Sequence, residues 1–480
     1  MRLDGLIAEA NLRGSGLLVQ TVGDTSVDVG PVSMDSRKVA PGSLFACVPG
    51  TSVDGHAYAV SAVAEGAVAL LCEHPLGLPV PQVVVTSVRQ AMGPVCDVAY
   101  GHPSRDLLVA GVTGTNGKTT TCAFLASIFE ASGWRARTIG TLTSRRTTPE
   151  APDLHALLAE WRDRGGRAVA VEVSSHALDQ HRTDAVTFAA GVFTNLSPEH
   201  LDYHHTMDAY FEAKARLFAP GRVGVAVVNG ADPWGRRLAE RVASGGDRLV
   251  TFSPADATQL QMEPGRSTFV WRGRPVTIRL GGAFNVTNAV AAAVCAEAMG
   301  AGTDAIVEGL AALESVEGRF QMVDQGQPFA VIVDYAHTPD GLAQVLEAAR
   351  QICAGRLVVV FGAGGDRDRE KRPLMGAAAA AHADLVLVTS DNPRSEDPDS
   401  IIAEVISGAA GAPNVRSETD RASAIATALA TASSGDVVVI AGKGHEKGQE
   451  IGGRVQPFDD VEVASSALRR IIVSRQGGGR

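Results

Sequence analysis

Residues 106–121, with the sequence DLLVAGVTGTNGKTTT, determine the fold class of this chain. The apolar run at 107–112 predicts a strand, the glycine-rich segment after it predicts a turn, and the pattern from Cys122 onward predicts a helix. This succession is typical of a phosphate-binding loop, in which backbone N–H groups face an anion at a helix N-terminus. The segment therefore predicts an ATP site in an α/β domain.

The loop contains the residue types that phosphate binding requires. Gly114 and Gly117 allow the backbone to turn, and Lys118 adds a positive charge for the outer phosphates. Thr119 offers a hydroxyl to Mg²⁺. A strict Walker sequence would have glycine where this chain has Val112, and the alternative interpretation is a glycine-rich turn with a solvated lysine. We predict that ATP contacts Gly114, Thr115, Asn116, Gly117, Lys118, Thr119 and Thr120.

The length and charge of the chain limit the class of protein. With 480 residues the chain is too long for one ordinary core, and roughly three domains are expected. An apolar content of 45% and a net charge of −10 indicate a globular protein without a basic surface for nucleic acid. The sequence shows no secretory signal and no run of about 18 apolar residues, so a cytoplasmic protein without membrane insertion is expected. A monomer is expected as well.

Alternating strand and helix patterns divide the chain into three predicted domains. Residues 1–103 combine short strands with polar turns and form the N-terminal domain. Residues 104–317 form a central, doubly wound domain with a mostly parallel sheet around the phosphate loop, and residues 318–480 form a C-terminal Rossmann-like domain. Strands are predicted at 169–173, 190–194, 223–228, 249–252, 330–333, 357–361, 385–389 and 437–441, helices at 154–164, 207–218 and 234–243, and a β-ribbon at 268–280.

Polar residues follow two of the predicted central strands. One cluster occupies residues 172–176 and the other residues 194–200. Ligands of open α/β sheets bind beyond the carboxyl ends of the strands, so these clusters are expected to line a ligand site. In the C-terminal domain a GAGGDR segment at 362–367 also follows a strand, but Arg367 occupies the position of the third glycine, which argues against nicotinamide binding.

Ten motifs together resemble the Mur ligases, and within that family the branch that adds the third residue of the peptidoglycan stem peptide. They are GTNGKTT, EVSSHALDQHR, TNLSPEHLDYH, EAKARLF, FNVTNAVAA, GRFQMV, DYAHTPDGL, GGDRDREKRPLMG, SDNPR and GKGHE. The resemblance extends from Asp35 to Asp459 and implies the three-domain Mur ligase architecture. It also implies that ATP phosphorylates the γ-carboxylate of UDP-N-acetylmuramoyl-L-alanyl-D-glutamate, and that the amine of an amino acid then attacks the acyl phosphate.

The same resemblance implies four groups of site residues. Those for Mg²⁺ are Thr119, Glu172, His200 and Lys214, with Lys214 carbamylated, and Lys118, His200 and Lys214 are the implied catalytic residues. Those for adenosine are Asn285, Asn288, Arg319 and Asp334, with Tyr335 and His337 nearby. Those for the nucleotide-sugar are Ser36, Thr147, Thr148, Ser174, Gln180 and Arg182, with Thr51, Ser52 and Val53 beside the uridine. Those for the amino acid are Arg367, Asp391, Asn392, Pro393, Arg394, Gly442 and Glu446.

The resemblance also indicates which amino acid is added. Family members with the sequence DNPR use diaminopimelate, whereas the lysine-adding members lack that arginine. Pro393 fixes the turn, and Arg394 offers a planar fork to the additional carboxylate of meso-diaminopimelate. Glu446 is expected to take an ammonium group of the same substrate.

Several of these residues also have ordinary structural interpretations. Glu172 would be an exposed strand end, His200 a turn residue and Lys214 a solvated residue on a helix. The sequence predicts in any case that Asn285 caps a helix. Arg394 would pair with the acidic residues at 396 and 397.

The chain departs from the family pattern at three places. The segment at 140–147 is shorter than usual, residue 199 is Glu where the family mostly has Asp, and residue 205 is His where Gly is common. None of these departures removes a predicted metal ligand.

The leading function is therefore an ATP-dependent amide-bond ligase that adds meso-diaminopimelate. One alternative is a related ligase that adds L-lysine or another amino acid, such as a folylpolyglutamate synthetase-like enzyme. A second alternative is a non-catalytic ATP-binding scaffold, which would show slow ATP turnover that is independent of the amino acid.

Overall fold

The computed structural model describes residues 1–50, 53–409 and 411–477, and its first sheet lies in the N-terminal part. The expected uridine contacts Thr51 and Ser52 lie outside the described residues. The five strands, in spatial order, are Leu18–Val22, Gln82–Val85, Ala69–Cys72, Leu44–Ala46 and Val32–Ser33. The first pair is antiparallel and the others are parallel. The helices here are Leu3–Glu9, Ala59–Ala64 and Val88–Ala99.

The central part contains a six-stranded sheet in which every neighbouring pair is parallel. In spatial order the strands are Leu249–Phe252, Ala226–Asn229, Ala190–Phe193, Leu108–Thr113, Ala168–Glu172 and Ala136–Ile139. The helices are Lys118–Ala131, Ala151–Asp163, Ser175–Asp179, Leu201–His204, Met207–Ala215, Pro233–Gly245, Ala283–Ala298 and Thr303–Ala312. The predicted doubly wound domain is confirmed, and the strand Leu108–Thr113 delivers the phosphate loop at the carboxyl edge of the sheet.

The predicted β-ribbon belongs to a three-stranded antiparallel sheet. Its strands are Thr258–Glu263, Arg266–Trp271 and Arg274–Ile278. Thr258–Glu263 was not predicted, although residues 259–263 alternate between polar and apolar side chains; most of its side chains are exposed in the structure. Arg266–Trp271 buries every second side chain, which is the pattern that made the ribbon recognisable.

The C-terminal part contains a second six-stranded sheet. In spatial order its strands are Gln321–Met322, Ala330–Asp334, Val437–Ala441, Leu357–Phe361, Leu385–Val388 and Val415–Ser417, and all pairs except the first are parallel. The helices are Pro339–Gln351, Lys371–His382, Pro398–Ser407, Arg421–Thr431 and Asp460–Gly477, and a hairpin joins Gly448–Ile451 to Arg454–Pro457. No helix in the described part of the chain combines the length and apolarity that crossing a bilayer requires. The exact domain boundaries stay predictions.

A buried ion pair supports the strand ends of the C-terminal sheet. Arg421 and Asp460 are both fully buried, and two guanidinium nitrogens donate to the two carboxylate oxygens at 2.8 and 2.7 Å. Arg421 also donates to the carbonyl of Ala441 at 2.9 Å, directly before Gly442. The pair therefore fixes a strand end next to the predicted amino-acid site.

Removing the carboxylate of this pair is expected to destabilise the protein strongly. Asp460→Ala leaves a buried guanidinium without its counter-ion, and the expected loss is about 3–5 kcal/mol of unfolding free energy. Denaturant unfolding of the two proteins measures this loss. Asp28→Ala, at a carboxylate whose side chain is 83% exposed, serves as the control. A loss in Asp460→Ala no larger than that of the control would contradict the prediction.

Candidate nucleotide and substrate cleft

The phosphate loop has the backbone geometry that anion binding requires. Gly114 has φ +149° and Gly117 has φ +89°, which are values that favour glycine. A Cβ at Gly114 would lie 1.9 Å from Thr194 Oγ1, and a Cβ at Gly117 would lie 2.3 Å from Asn288 Oδ1. Gly117 caps the helix Lys118–Ala131, so the helix N-terminus opens directly onto the loop. Glycine is therefore required at both positions, because of the backbone conformation and because a side chain would have no room.

The residues that follow the strand Ala190–Phe193 are hydrogen-bonded to the phosphate loop. The N–H of Thr115 donates to the backbone carbonyl of Asn195 at 3.0 Å, and the N–H of Asn116 donates to its side-chain oxygen at 2.9 Å. The hydroxyl of Thr194 donates to the carbonyl of Asn116 at 2.7 Å. The two polar clusters of the sequence thus meet at one sheet edge, as expected.

Two lysines converge on one carbonyl oxygen of the loop. Lys118 Nζ donates to the carbonyl of Gly114 at 2.9 Å and to that of Thr115 at 2.7 Å. Lys214 Nζ donates to the same carbonyl of Gly114 at 2.7 Å and lies over the ring of Tyr210. Lys214 is buried, so its interpretation as a solvated helix residue is wrong. Burial and the charge of Lys118 hold the pKa of Lys214 well below its usual range.

The donor set at the sheet edge fits a magnesium ion. Thr119 Oγ1 donates to Glu172 Oε2 at 2.9 Å, and the N–H of Thr141 donates to Glu172 Oε1 at 2.8 Å. Glu172 is buried, so it is not an exposed strand end. Among the described residues no three His, Cys, Asp or Glu side chains form a ready metal cluster. Magnesium binds through one or two protein oxygens and keeps several waters, so Thr119 and Glu172 suit it.

His200 occupies a strained position at the mouth of this site. Its φ is +57°, in the left-handed region that non-glycine residues rarely adopt, and it caps the short helix Leu201–His204. His200 Nε2 lies 3.7 Å from Glu199 Oε2. His205 has φ +66° at the position where the family commonly has glycine, which explains that preference.

The cleft is closed by contacts between the central and C-terminal parts. Arg319 Nη2 donates to Thr119 Oγ1 at 3.2 Å, and Asn116 Nδ2 donates to Asp340 Oδ2 at 3.3 Å. The cleft between them has a volume of about 230 Å³. Its walls include Thr115, Asn116, Gly117, Lys118, Thr119, Thr120, Thr147, Glu172, Ser174, Glu199, His200, Asn288, Arg319, Asp334, Tyr335 and His337.

The predicted adenosine residues lie on the C-terminal wall of the cleft and on the helix Ala283–Ala298. The carboxylate of Asp334 accepts the N–H groups of Phe320 and Ala336 at 2.6 and 2.7 Å, and burial raises its pKa. The predicted capping role of Asn285 is wrong, because the helix is capped by Gly282. The Asn285 side chain instead donates to the carbonyl of Gly281 at 2.8 Å, since it already lies in the first helical turn.

The predicted nucleotide-sugar residues fall into two groups. The hydroxyl of Thr148 donates to the carbonyl of Glu172 at 2.8 Å and to Ser174 Oγ at 3.3 Å. Arg182 is buried and donates to the carbonyl of Thr148 and to Gln180 Oε1. Thr147 lines the cleft beside them. The second group is Ser36, which lies in the 3-10 turn Ser36–Lys38 of the N-terminal part and not in the lining of the cleft. Val53, expected beside the uridine, is exposed.

The predicted amino-acid residues gather around the hairpin Gly448–Pro457. Arg394 has φ +53°, and its N–H donates to the carbonyl of Glu450 at 3.0 Å. Its side chain donates through Nη1 to the carbonyl of Gly365 at 2.5 Å, and Nε lies 3.4 Å from Glu450 Oε2. The predicted alternative partner Glu396 instead binds Arg372. Arg394 is therefore held by the hairpin rather than by the acidic residues that follow it.

The remaining residues of this group surround a buried lysine. Lys443 Nζ contacts Glu446 Oε2 and Asn392 Oδ1, both at 3.1 Å, and lies 3.7 Å from Asp391 Oδ1. Glu446 thus already has a cationic partner. Gly442 has φ +112°, and a Cβ there would lie 2.6 Å from Asp391 Oδ2. The last members are Pro393, which is buried, and Arg367, which is exposed.

Sequence reasoning placed Asn195 and Glu199 in a cluster expected to line a ligand site, but it gave neither residue a role. Asn195 binds the phosphate loop, and Glu199 faces both His200 and His337. Thr141 was missed, although it follows a strand and donates to Glu172. Tyr210 lies on a helix and left no such signal.

Comparisons with known families and relatives agree with one another. The families described as "Mur ligase family, catalytic domain", "Mur ligase middle domain" and "Mur ligase, glutamate ligase domain" match residues 29–99, 112–296 and 318–444. A Streptomyces coelicolor protein named UDP-N-acetylmuramoyl-L-alanyl-D-glutamate--2,6-diaminopimelate ligase is 45% identical over 478 residues, covering 93% of this chain and 94% of that protein. A Geobacillus thermodenitrificans protein of the same name is 43% identical over 468 residues, covering 92% and 95%.

Solved structures give the same result. A structure of a UDP-N-acetylmuramoyl-L-alanyl-D-glutamate--2,6-diaminopimelate ligase has a TM-score of 0.65 at 35% identity, covering 92% of this chain and 95% of that one. The Thermotoga maritima MurF ligase in complex with ADP has a TM-score of 0.66 at 20% identity, covering 93% and 99%, and shows the shared fold alone. The identity and coverage of the relatives confirm the resemblance found in the sequence motifs. This chain belongs to the Mur ligase family.

Proposed function

We propose that this protein is an ATP-dependent ligase that adds meso-diaminopimelate to UDP-N-acetylmuramoyl-L-alanyl-D-glutamate in peptidoglycan precursor synthesis. The observation that carries the proposal is the cleft in which Lys118 and Thr119 of the phosphate loop face Arg319 and Asp334. The relatives that carry this activity in their names match more than nine tenths of the chain. The cytoplasmic location and monomeric state expected from the sequence stay predictions.

In the first half-reaction a γ-carboxylate of the nucleotide-sugar attacks the γ-phosphorus of ATP, which releases ADP and leaves an acyl phosphate. The loop N–H groups and Lys118 bind the phosphates and offset the negative charge that shifts toward the leaving ADP. Thr119 and Glu172 would hold Mg²⁺, which supplies further charge neutralisation. Thr148, Ser174 and Arg182 lie beside these residues and would orient the carboxylate.

In the second half-reaction the amine of the incoming amino acid attacks the acyl carbon. The new amide bond forms as the carbon–oxygen bond to phosphate breaks, and the amine loses a proton. Arg394 would bind the distal carboxylate of diaminopimelate, while Asn392 and Glu446 lie on the same side of the site. These residues act by orientation, which converts an encounter between two molecules into a reaction within one complex.

The test of this function is the release of ADP in the presence of the UDP-muramoyl dipeptide and each candidate amino acid. We expect turnover only when both the dipeptide and diaminopimelate are present. Turnover with the dipeptide and lysine, but not with the dipeptide and diaminopimelate, would support the lysine-adding alternative. Turnover with a folate and glutamate would support the folylpolyglutamate synthetase-like alternative. Slow turnover that ignores the amino acid would indicate a scaffold, and each of these three results contradicts the proposal.

The structure motivates a prediction about the chemical state of Lys214. Its amine is buried and shares the carbonyl of Gly114 with Lys118, so the neutral form is favoured. Neutral amines react with CO₂, and a carbamate would replace a cation by a carboxylate next to the proposed metal. We therefore expect Lys214→Ala to lose on the order of 10²-fold in turnover, as for other lost electrostatic contacts.

Small carboxylic acids should restore part of this activity, because they fit the space left by the carbamate. Turnover of Lys214→Ala is measured with and without acetate or formate, and ¹³C-bicarbonate labels the wild-type carbamate for NMR. Lys38→Ala, at an exposed lysine paired with Asp153, is the matched control. An inactive Lys214→Ala that no acid rescues, together with an unlabelled wild-type protein, would exclude the carbamate.

A further inference from the structure

The six lysines of the chain divide into two groups by their partners. Lys38, Lys443 and Lys447 each have a carboxylate within 4.0 Å. Lys118 and Lys214, by contrast, have no carboxylate partner at that distance in the described part of the chain and bond backbone carbonyls of the phosphate loop. These two are the lysines that the proposed reaction uses.

Lys371 resembles the second group, although the carbonyl that it bonds lies outside the phosphate loop. It begins the helix Lys371–His382, and its Nζ donates to the carbonyl of His337 at 3.0 Å. Among the described residues it has no carboxylate partner within 4.0 Å, although Glu199, Asp368 and Asp391 are close enough to influence it. Burial lowers the pKa of Lys371. A partly buried cation whose hydrogen-bond partner is a backbone carbonyl is costly unless its position serves a purpose.

The carbonyl that Lys371 holds belongs to a residue that crosses the cleft. His337 Nε2 lies 3.5 Å from Glu199 Oε1, and Glu199 Oε2 lies 3.7 Å from His200 Nε2. The His337 ring is also fixed by Nδ1, which donates to the carbonyl of Tyr335 at 2.8 Å. Glu199, His200 and His337 all line the nucleotide cleft. A single series of contacts thus connects the helix of Lys371 to the central part of the protein.

We propose that Lys371 is a positioning residue that holds His337 against Glu199 and thereby keeps the nucleotide cleft closed. The inference rests on the proposed use of ATP. Lys371 fixes the backbone of His337, and His337 in turn fixes Glu199 at the mouth of the cleft. Without this hydrogen bond, no described side chain of the helix Lys371–His382 bonds the loop that carries His337. The cleft then closes less often.

The test compares nucleotide binding by Lys371→Met, Lys371→Arg, His337→Ala and Lys371→Met/His337→Ala with the wild-type protein. Calorimetry with a non-hydrolysable ATP analogue reports binding without requiring ligase activity. We expect Lys371→Met to weaken binding about tenfold, as for a lost hydrogen bond from a charged donor. Lys371→Arg can donate to the same carbonyl and should restore most of the affinity. Lys38→Met is the control for removal of a lysine.

The double variant distinguishes positioning from a general structural role. If Lys371 acts through His337, then adding Lys371→Met to His337→Ala should change the affinity no further. An unchanged affinity in Lys371→Met, or an equal tenfold loss in the His337→Ala background, would overturn the inference. Failure of the wild-type protein to ligate diaminopimelate would overturn the proposed function and leave this binding result intact.

Discussion

Lys118→Ala is expected to lower ATP turnover by about 10²-fold or more while the protein remains folded. Lys118 lies at the first position of the helix Lys118–Ala131, where its ammonium faces the loop that would surround the phosphates. Its hydrogen-bond partners are two backbone carbonyls of the loop. The ammonium can therefore turn toward an incoming phosphate by giving up two hydrogen bonds to uncharged acceptors. Burial lowers the pKa of Lys118, and the charges of Glu199 and Glu172 oppose that change.

The expected kinetic signature is a fall in kcat and at least as large a fall in kcat/KM, because the contact exists in the bound complex and strengthens in the transition state. ADP release under saturating substrates measures the first, and the same assay at low ATP measures the second. Thermal unfolding of the variant checks that the fold is retained. Near-normal turnover by a folded Lys118→Ala protein would show that Lys118 is not needed for phosphoryl transfer.

The wild-type protein is expected to prefer diaminopimelate to lysine by about 10⁴-fold in kcat/KM, and Arg394→Ala should lose most of that preference. Diaminopimelate differs from lysine by one carboxylate, and a guanidinium binds a carboxylate through two parallel hydrogen bonds. Arg394 is fixed by its own backbone bonds to the hairpin and by contacts of its side chain with Gly365 and Glu450. A pre-positioned guanidinium loses little entropy when it binds the substrate.

The measurement is the ratio of kcat/KM for the two amino acids in wild type and variant. Arg416→Ala, at an exposed arginine in the edge strand Val415–Ser417 of the C-terminal sheet, is the matched control and should keep the wild-type ratio. Equal use of lysine and diaminopimelate by the wild-type protein would contradict the assignment of Arg394. A variant that keeps the full preference would move the specificity to another residue, such as exposed Arg367.

The sequence by itself determined the fold class and the family. The predicted order of strand, turn and helix at residues 106–121 is confirmed, because hydrophobic periodicity and glycine placement are properties of adjacent residues, although the helix begins at Lys118 rather than at Cys122. The same holds for the buried strands Leu357–Phe361 and Val437–Ala441, whose predicted bounds are unchanged. The strand Thr258–Glu263 was missed because its alternating segment, residues 259–263, is short and contains only two apolar residues, and most of its side chains are exposed.

Only the tertiary structure decided which predicted site residues share one environment. Lys214 meets Gly114 across 100 positions of sequence, and Arg319 meets Thr119 across 200. The hairpin partner of Arg394, Glu450, is likewise distant in sequence. Contacts of this kind depend on how the sheets pack and how the cleft closes, and no local pattern encodes them.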